Sequence, residues 1–160
     1  MRYKKSFVVR WSECDQNGHL RNTAYSEYDI ETRIGLMADR GFSVRRLREL
    51  GMGPVILREE LDYLREVHLA EEIEVDFQRL GLSPDGARWR LAHDLRRQGE
   101  PVARIVLMGG WLDLEKRRLT PPLPEIPGLF ESLDAGEPYQ DLASLRRNVS
   151  RATGDGHQPA

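Results

Sequence analysis

Hydrophobic and polar positions change period twice along this chain. Near the start, Phe7-Val8-Val9 is a short apolar run rich in β-branched residues, and residues 3–11 are predicted as a first strand. From Asn22 the period lengthens. Tyr25, Tyr28, Thr32 and Leu36 recur at spacings of three and four, which places them on one stripe of a helix from about Asn22 to Arg40, with Gly41 as its stop. Gly35 within that helix costs about 1 kcal/mol relative to Ala and suggests close approach of another backbone. Residues 43–50 read as a short second helix, capped by Ser43, with Leu47 and Leu50 inward and Gly51 as its end.

From Gly53 the period falls to two. Residues 54–63 form a strand candidate with Val55, Leu57 and Leu61 on one face. After a turn at 68–72, Ile73, Val75 and Phe77 alternate with Glu74, Asp76 and Gln78, the pattern of a half-buried strand. Ser83-Pro84-Asp85-Gly86 places Pro and Gly where a turn wants them. Ala87, Trp89, Leu91, His93 and Leu95 then alternate with polar residues, and a turn at 97–100 leads to the most apolar strand, 102–112. Gly109-Gly110 in that strand is expected to be a bulge. The expected order is one strand, a long helix, then four strands in hairpin succession. A helix of that length in a small domain has only the sheet face to pack on, so the fold class is α+β.

The pattern ends after Leu119. Pro121, Pro122, Pro124 and Pro127 rule out regular structure. The main domain is therefore placed at 1–124. A C-terminal extension at 125–151 holds two candidate short helices, 129–133 and 139–149, and a tail at 152–160 has no apolar anchor and is expected to be mobile.

Composition narrows the partners. With 160 residues, 39% hydrophobic and 31% charged, the chain suits one globular domain with a real core. A net charge of −2 gives no reason to expect nucleic acid or an anionic membrane as partner. The single cysteine, Cys14, excludes an internal disulfide, and without a signal peptide or long apolar span a reducing cytoplasm is the expected location.

Candidate chemistry concentrates where the first strand gives way to the long helix. Asp15, Gly18 and His19 lie within five positions and Asn22-Thr23 opens the helix. The loop would hold Asp15 near amide N–H groups that lack intrahelical partners. A base or nucleophile beside oxyanion donors is what carbonyl chemistry requires. Asp15 also suits an ordinary Asx turn, and His19 a loop histidine that shapes it. The four histidines show no metal-ligand spacing and Cys14 stands alone, so no metal site is expected. Glu27 and Asp29 read as a solvated helix face with Arg33 as partner, and Glu31 as a second-choice carboxylate. One of Glu59-Glu60 must face the apolar side of its strand, and Glu60 is a pocket candidate. The clusters Arg45-Arg46-Arg48, Arg96-Arg97 and Lys116-Arg117-Arg118 read as solvated surface, and Trp89 and Trp111 as core or interface.

The stretch Asp15-Gln16-Asn17-Gly18-His19-Leu20-Arg21-Asn22-Thr23-Ala24-Tyr25, continued through Tyr28 and Glu31-Thr32-Arg33, resembles the hotdog-fold thioesterases of the 4-hydroxybenzoyl-CoA thioesterase type. The likeness runs loosely to Pro121-Pro122, and Arg21 departs from it. The resemblance implies a long helix wrapped by an antiparallel sheet of about five strands, and an acyl-CoA hydrolase releasing free CoA and a carboxylic acid. It implies Asp15 as nucleophile or general base, His19 as an orienting residue, the backbone N–H of Asn22 as oxyanion donor, and Gly18 and Tyr25 at the substrate. It further implies a homodimer or tetramer of dimers with the site at an interface, and no cofactor, coenzyme A being part of the substrate. Two alternatives stay open. A hotdog enoyl-CoA hydratase would carry Asp and His a few residues apart with Asn-Pro between, where this chain has Asn17-Gly18. A non-catalytic acyl-thioester-binding protein would keep the pocket without turnover.

Overall fold

The computed structural model describes residues 3–126, 128–131 and 133–136. Strand β1 (Tyr3–Val8) leads through a single 3-10 turn (Trp11–Glu13) to helix α1 (Asn22–Asp39) and the short helix α2 (Val44–Glu49). Strands β2 (Met52–Tyr63), β3 (Glu72–Leu82), β4 (Arg88–Arg97) and β5 (Glu100–Asp113) follow, then a two-residue strand β6 (Arg118–Leu119) and a helical turn α3 (Gly128–Glu131). All pairings among the named strands are antiparallel, in the order β1-β3-β4-β5-β2, with β6 beside β5. This is the hotdog arrangement, and it corrects one expectation. Only β3, β4 and β5 follow one another as hairpins. β2 crosses to the far edge and pairs with β5, so β1 and β2 are the two edge strands.

Helix α1 crosses one face of this sheet from edge to edge. Its stripe Tyr25, Tyr28, Thr32 and Leu36 is buried as the spacing predicts. Tyr28 stacks on Phe7 of β1 with ring centroids 4.4 Å apart, and Tyr25 meets Tyr63 of β2 edge-to-face at 5.2 Å. Beneath the helix, Ile73, Val75, Phe77, Trp89, Leu91, Leu95, Ile105 and Leu107 form the core. Asp76 and Gln78 are also buried, so β3 is covered on both faces rather than half-buried. On that second face Gln78 Nε2 donates to Asp76 Oδ1 at 3.0 Å and to Asp94 Oδ2 at 2.9 Å, and Arg104 donates to Asp94 Oδ1 at 2.9 Å.

Two glycine expectations change. A Cβ at Gly35 would lie 2.8 Å from the Tyr3 hydroxyl, so a side chain rather than a backbone makes the close approach. Gly109 and Gly110 stay in the ladder. The register shift lies opposite them in β2, between Ile56 and Arg58, and leaves Leu57 outside the pairing and exposed rather than inward with Val55. A Cβ at Gly109 would fall 2.1 Å from the Trp89 ring, so the glycine makes room for the indole.

Residues after β6 fold back on the helix-bearing face. Ile126, Leu129, Phe130 and Leu133 are buried, and the Phe130 ring packs against Phe77, Trp89 and Trp111 with centroids 5.8–6.1 Å apart. Asp134 and Gly136 then hydrogen-bond the backbone of Arg79, a parallel bridge beside β3 where β1 has ended. The helix expected at 139–149 and the tail at 152–160 lie outside the described residues. No helix among the described residues is long and apolar enough to cross a membrane.

Candidate active site

The segment between β1 and α1 is built as a tight, self-bonded loop. Glu13, 2% exposed, anchors its near side. Its carboxylate accepts the Arg10 amide at 2.8 Å, the Arg10 guanidinium at 2.6 and 3.1 Å, and the Tyr28 hydroxyl at 2.8 Å. Burial alone would raise the Glu13 pKa, but these donors outweigh it and hold the group below the usual carboxylate range. Burial and the same bond push the Tyr28 phenol upward. The turn at Asp15 follows. The Asp15 N–H donates to the His19 carbonyl at 2.8 Å and the Gly18 N–H to the Asp15 carbonyl at 3.1 Å. Gly18 sits at φ +79°, a conformation that an L side chain rarely adopts. Leu20 and Arg21 then bond to Val67 and Glu13, which delivers the chain to the first turn of α1.

Asp15 is exposed at the surface of the single chain. Its Oδ1 accepts the N–H of Asn17 at 2.8 Å and of His19 at 3.1 Å, an Asx turn. Its Oδ2 has no hydrogen bond among the described residues. Asp15, His19, Asn22 and Tyr25 line one groove of about 380 Å³, whose other wall is Tyr63, Leu64, Arg65 and Glu66 from the end of β2. Asn22 and Thr23 are the first helical residues, so their N–H groups have no intrahelical acceptor. Burial raises the pKa of Tyr25, the floor of the groove, and the Tyr63 phenol adds to the rise.

The side chains of the other sequence-predicted residues take different partners. His19 bonds to Asp15 through its amide and not its ring. Its Nε2 instead lies 3.7 Å from Glu66 Oε2, and its ring meets that of His68 with centroids 5.1 Å apart. Glu60 turns away from the helix and pairs with Arg58 at 2.5 Å, in the open. Glu59 is the acid that faces α1, accepting the Ser26 hydroxyl at 2.6 Å. Glu31 pairs with Lys5 of β1 at 3.2 Å. Cys14 donates its Sγ–H to the Arg10 carbonyl at 3.6 Å. Arg45, Arg96, Arg97 and Lys116 each pair with a neighbouring acid.

The solvated helix face is corrected at Asp29. Arg33 is its partner, as the spacing suggested, at 3.0 Å from each oxygen, but Asp29 is fully buried. His93 Nε2 lies 2.7 Å from Asp29 Oδ1, too oblique for a straight hydrogen bond, while Nδ1 is 2.8 Å from the Asp76 carbonyl. Burial would raise the Asp29 pKa, but His93 and Arg33 pull it below its ordinary value. Glu13, Glu66 and His68 escaped the sequence reading. Glu13 lies beside the Asp15 motif, so adjacency to a charged Arg10 was an available signal. Glu66 and His68 are far from that motif in sequence and come to it only through the fold.

The comparisons agree with this fold. The sequence model of the Thioesterase-like superfamily matches residues 9–130. No sequence among the curated proteins matches the chain. Among solved structures, SAV2348 from Staphylococcus aureus, determined in complex with CoA, is similar with a TM-score of 0.78 at 15% identity, over 99% of this chain and 96% of that one. Slr0204 from Synechocystis, a 1,4-dihydroxy-2-naphthoyl-CoA thioesterase, is similar with a TM-score of 0.74 at 12% identity, over 85% of this chain and 100% of that one. Identities this low speak for the fold alone, but the family match spans most of the chain. With a hotdog sheet, a helix laid across it and the matched region running from Val9 to Phe130, this protein belongs to the thioesterase-like superfamily.

Proposed function

We propose that the protein hydrolyses acyl-CoA or related thioesters, with Asp15 as the catalytic carboxylate. The observation that carries this reading is one groove lined by both Asp15 and Asn22, the residue that opens α1. The Asx turn holds Oδ1 and leaves Oδ2 for chemistry. As general base, Oδ2 takes a proton from water while the oxygen of that water adds to the thioester carbonyl. The oxyanion rests against the N–H of Asn22 or Thr23. Collapse breaks the C–S bond, and the CoA thiolate leaves with the proton returned by Asp15. As nucleophile, Asp15 adds to the same carbon, the C–S bond breaks to release CoA thiolate, and water opens the resulting anhydride, which returns the Asp15 carboxylate, frees the acid and supplies the proton the thiolate takes. Neither route uses a cofactor, since CoA enters as part of the substrate. In this reading Tyr25 with Tyr63 and Leu64 supplies the apolar wall, while Gly18, which lines a separate cavity with Trp11, Cys14 and Leu69, shapes the Asp15 turn. Arg65, paired with Glu100 at 3.0 Å, is the cation on the groove for CoA phosphate.

The groove is open on one side, which fits a site completed by a second copy. β2 is an edge strand, and Ile56, Leu57, Tyr63 and Leu64 are exposed along and just beyond it. Pairing two copies at β2 would bring Tyr63 and Leu64 of each to the shared seam, as a homodimer or a tetramer of dimers. The test is thiol release from a panel of acyl- and aryl-CoAs, with Asp15→Asn beside the wild type. Wild-type hydrolysis with a loss of about 10²–10⁴-fold in the variant is expected for removal of a general acid–base group. Equal rates would overturn the assignment. Hydration of an enoyl-CoA without thiol release would favour the hydratase, and tight binding without turnover a thioester sensor.

A further inference from the structure

The sequence spacing of the histidines offers no ligand motif, yet the fold brings two of them together. We propose that His19, Glu66 and His68 form a binding site for a zinc-class divalent cation on the rim of the Asp15 groove. The backbone sets the pair: His19 and His68 face each other across an antiparallel bridge, locked by the Leu20 N–H to the Val67 carbonyl at 2.7 Å. Glu66 Oε2 lies 3.7 Å from His19 Nε2 and 4.0 Å from His68 Nε2, and three candidate ligand atoms fall within 4.8 Å of one another. Ligand bonds of about 2.0–2.1 Å place tetrahedral donors roughly 3.3 Å apart, so a small rotamer adjustment closes the set. The side chains have that freedom, being 34% (His19), 70% (Glu66) and 49% (His68) exposed.

The backbone beneath is firmly held. The His68 amide donates to Glu71 Oε2 at 2.9 Å, and Arg97 clamps Glu71 at 2.8 Å and the Glu66 carbonyl at 3.1 Å. Among the described residues neither imidazole makes a side-chain hydrogen bond, so both rings are free to ligate. Two imidazoles and one carboxylate select zinc, cobalt, nickel or copper over magnesium or calcium, which prefer oxygen shells. Three protein ligands leave a fourth position open. His19 and Glu66 both line the groove that holds Asp15, so an ion here adds positive charge where an anionic thioester would enter.

The test is calorimetric titration of the metal-stripped full chain with zinc chloride, followed in parallel by NMR of the histidine rings. The expected result is one ion per chain, with the ring signals of His19 and His68 shifting together while buried His93 stays put. His68→Ala and Glu66→Gln are both surface changes, and each should weaken binding at least tenfold. No binding, or binding of wild-type strength in both variants, would overturn the site. Since the readout is metal occupancy and not thiol release, the result stands apart from the hydrolase assay.

Discussion

Two carboxylates of this protein, Asp15 and Asp29, sit on the two ends of a physical contrast. Asp29 lies on the buried face of α1, with both oxygens taken by Arg33 and His93 beside it. Asp15 lies at the open end of the same helix, exposed, with one oxygen held by backbone amides and the other without a partner among the described residues. A saturated buried charge has no capacity left for substrate, and its removal leaves its partners desolvated. A half-saturated exposed charge contributes little to folding and retains a lone pair for chemistry. The buried ion pair serves the fold, while the candidate reaction site occupies its rim.

That contrast can be broken experimentally. The largest effect should be the hydrolysis loss of Asp15→Asn, and its melting temperature should stay within a few degrees of wild type, as surface substitutions usually do. A variant that unfolds instead would make Asp15 structural and erase the contrast. Next, Asp29→Ala should cost about 3–5 kcal/mol in urea unfolding, because it strands the guanidinium of Arg33 and the ring of His93. A loss below about 1 kcal/mol would show that the buried cluster is not a stability element.

Acid sharpens the same comparison. The folded pKa values of Asp29 and Glu13 both lie below their ordinary values, so the stability they contribute is present above the unfolded values near 4. It should be lost as pH falls through the folded values, since the unfolded chain then binds more protons. Unfolding measured at pH 6 and then stepwise below 4.5 should show that decline, and Glu13→Gln should make it shallower. An unchanged acid slope in the variant would refute the role given to the Arg10–Glu13–Tyr28 knot. The smallest effect belongs to Glu60→Gln, where an exposed pair with Arg58 is removed. Stability should move by less than about 0.5 kcal/mol, and thiol release should not change.

How far residues alone led depends on whether their interactions are local. The Asp15 turn was legible because an Asx turn, a positive-φ glycine and a helix start all lie within a few positions of chain. Ser43 was legible for the same reason, and its hydroxyl accepts the Arg46 amide at 3.2 Å. Leu57 misled because a bulge resets strand parity without a local signature. Asp29 misled because spacing revealed its partner on the helix but not His93, which lies on another strand.

Residues alone fixed the elements, the stripe that α1 buries, the α+β class and the loop that carries Asp15, since period, caps and turns act over a few residues. Only the tertiary structure decided that β2 crosses to the far edge, that Glu59 rather than Glu60 faces the helix, and that His68 and Glu66 stand beside His19. Those outcomes depend on register and strand order, which are settled by packing across the whole sheet and leave no trace in neighbouring residues.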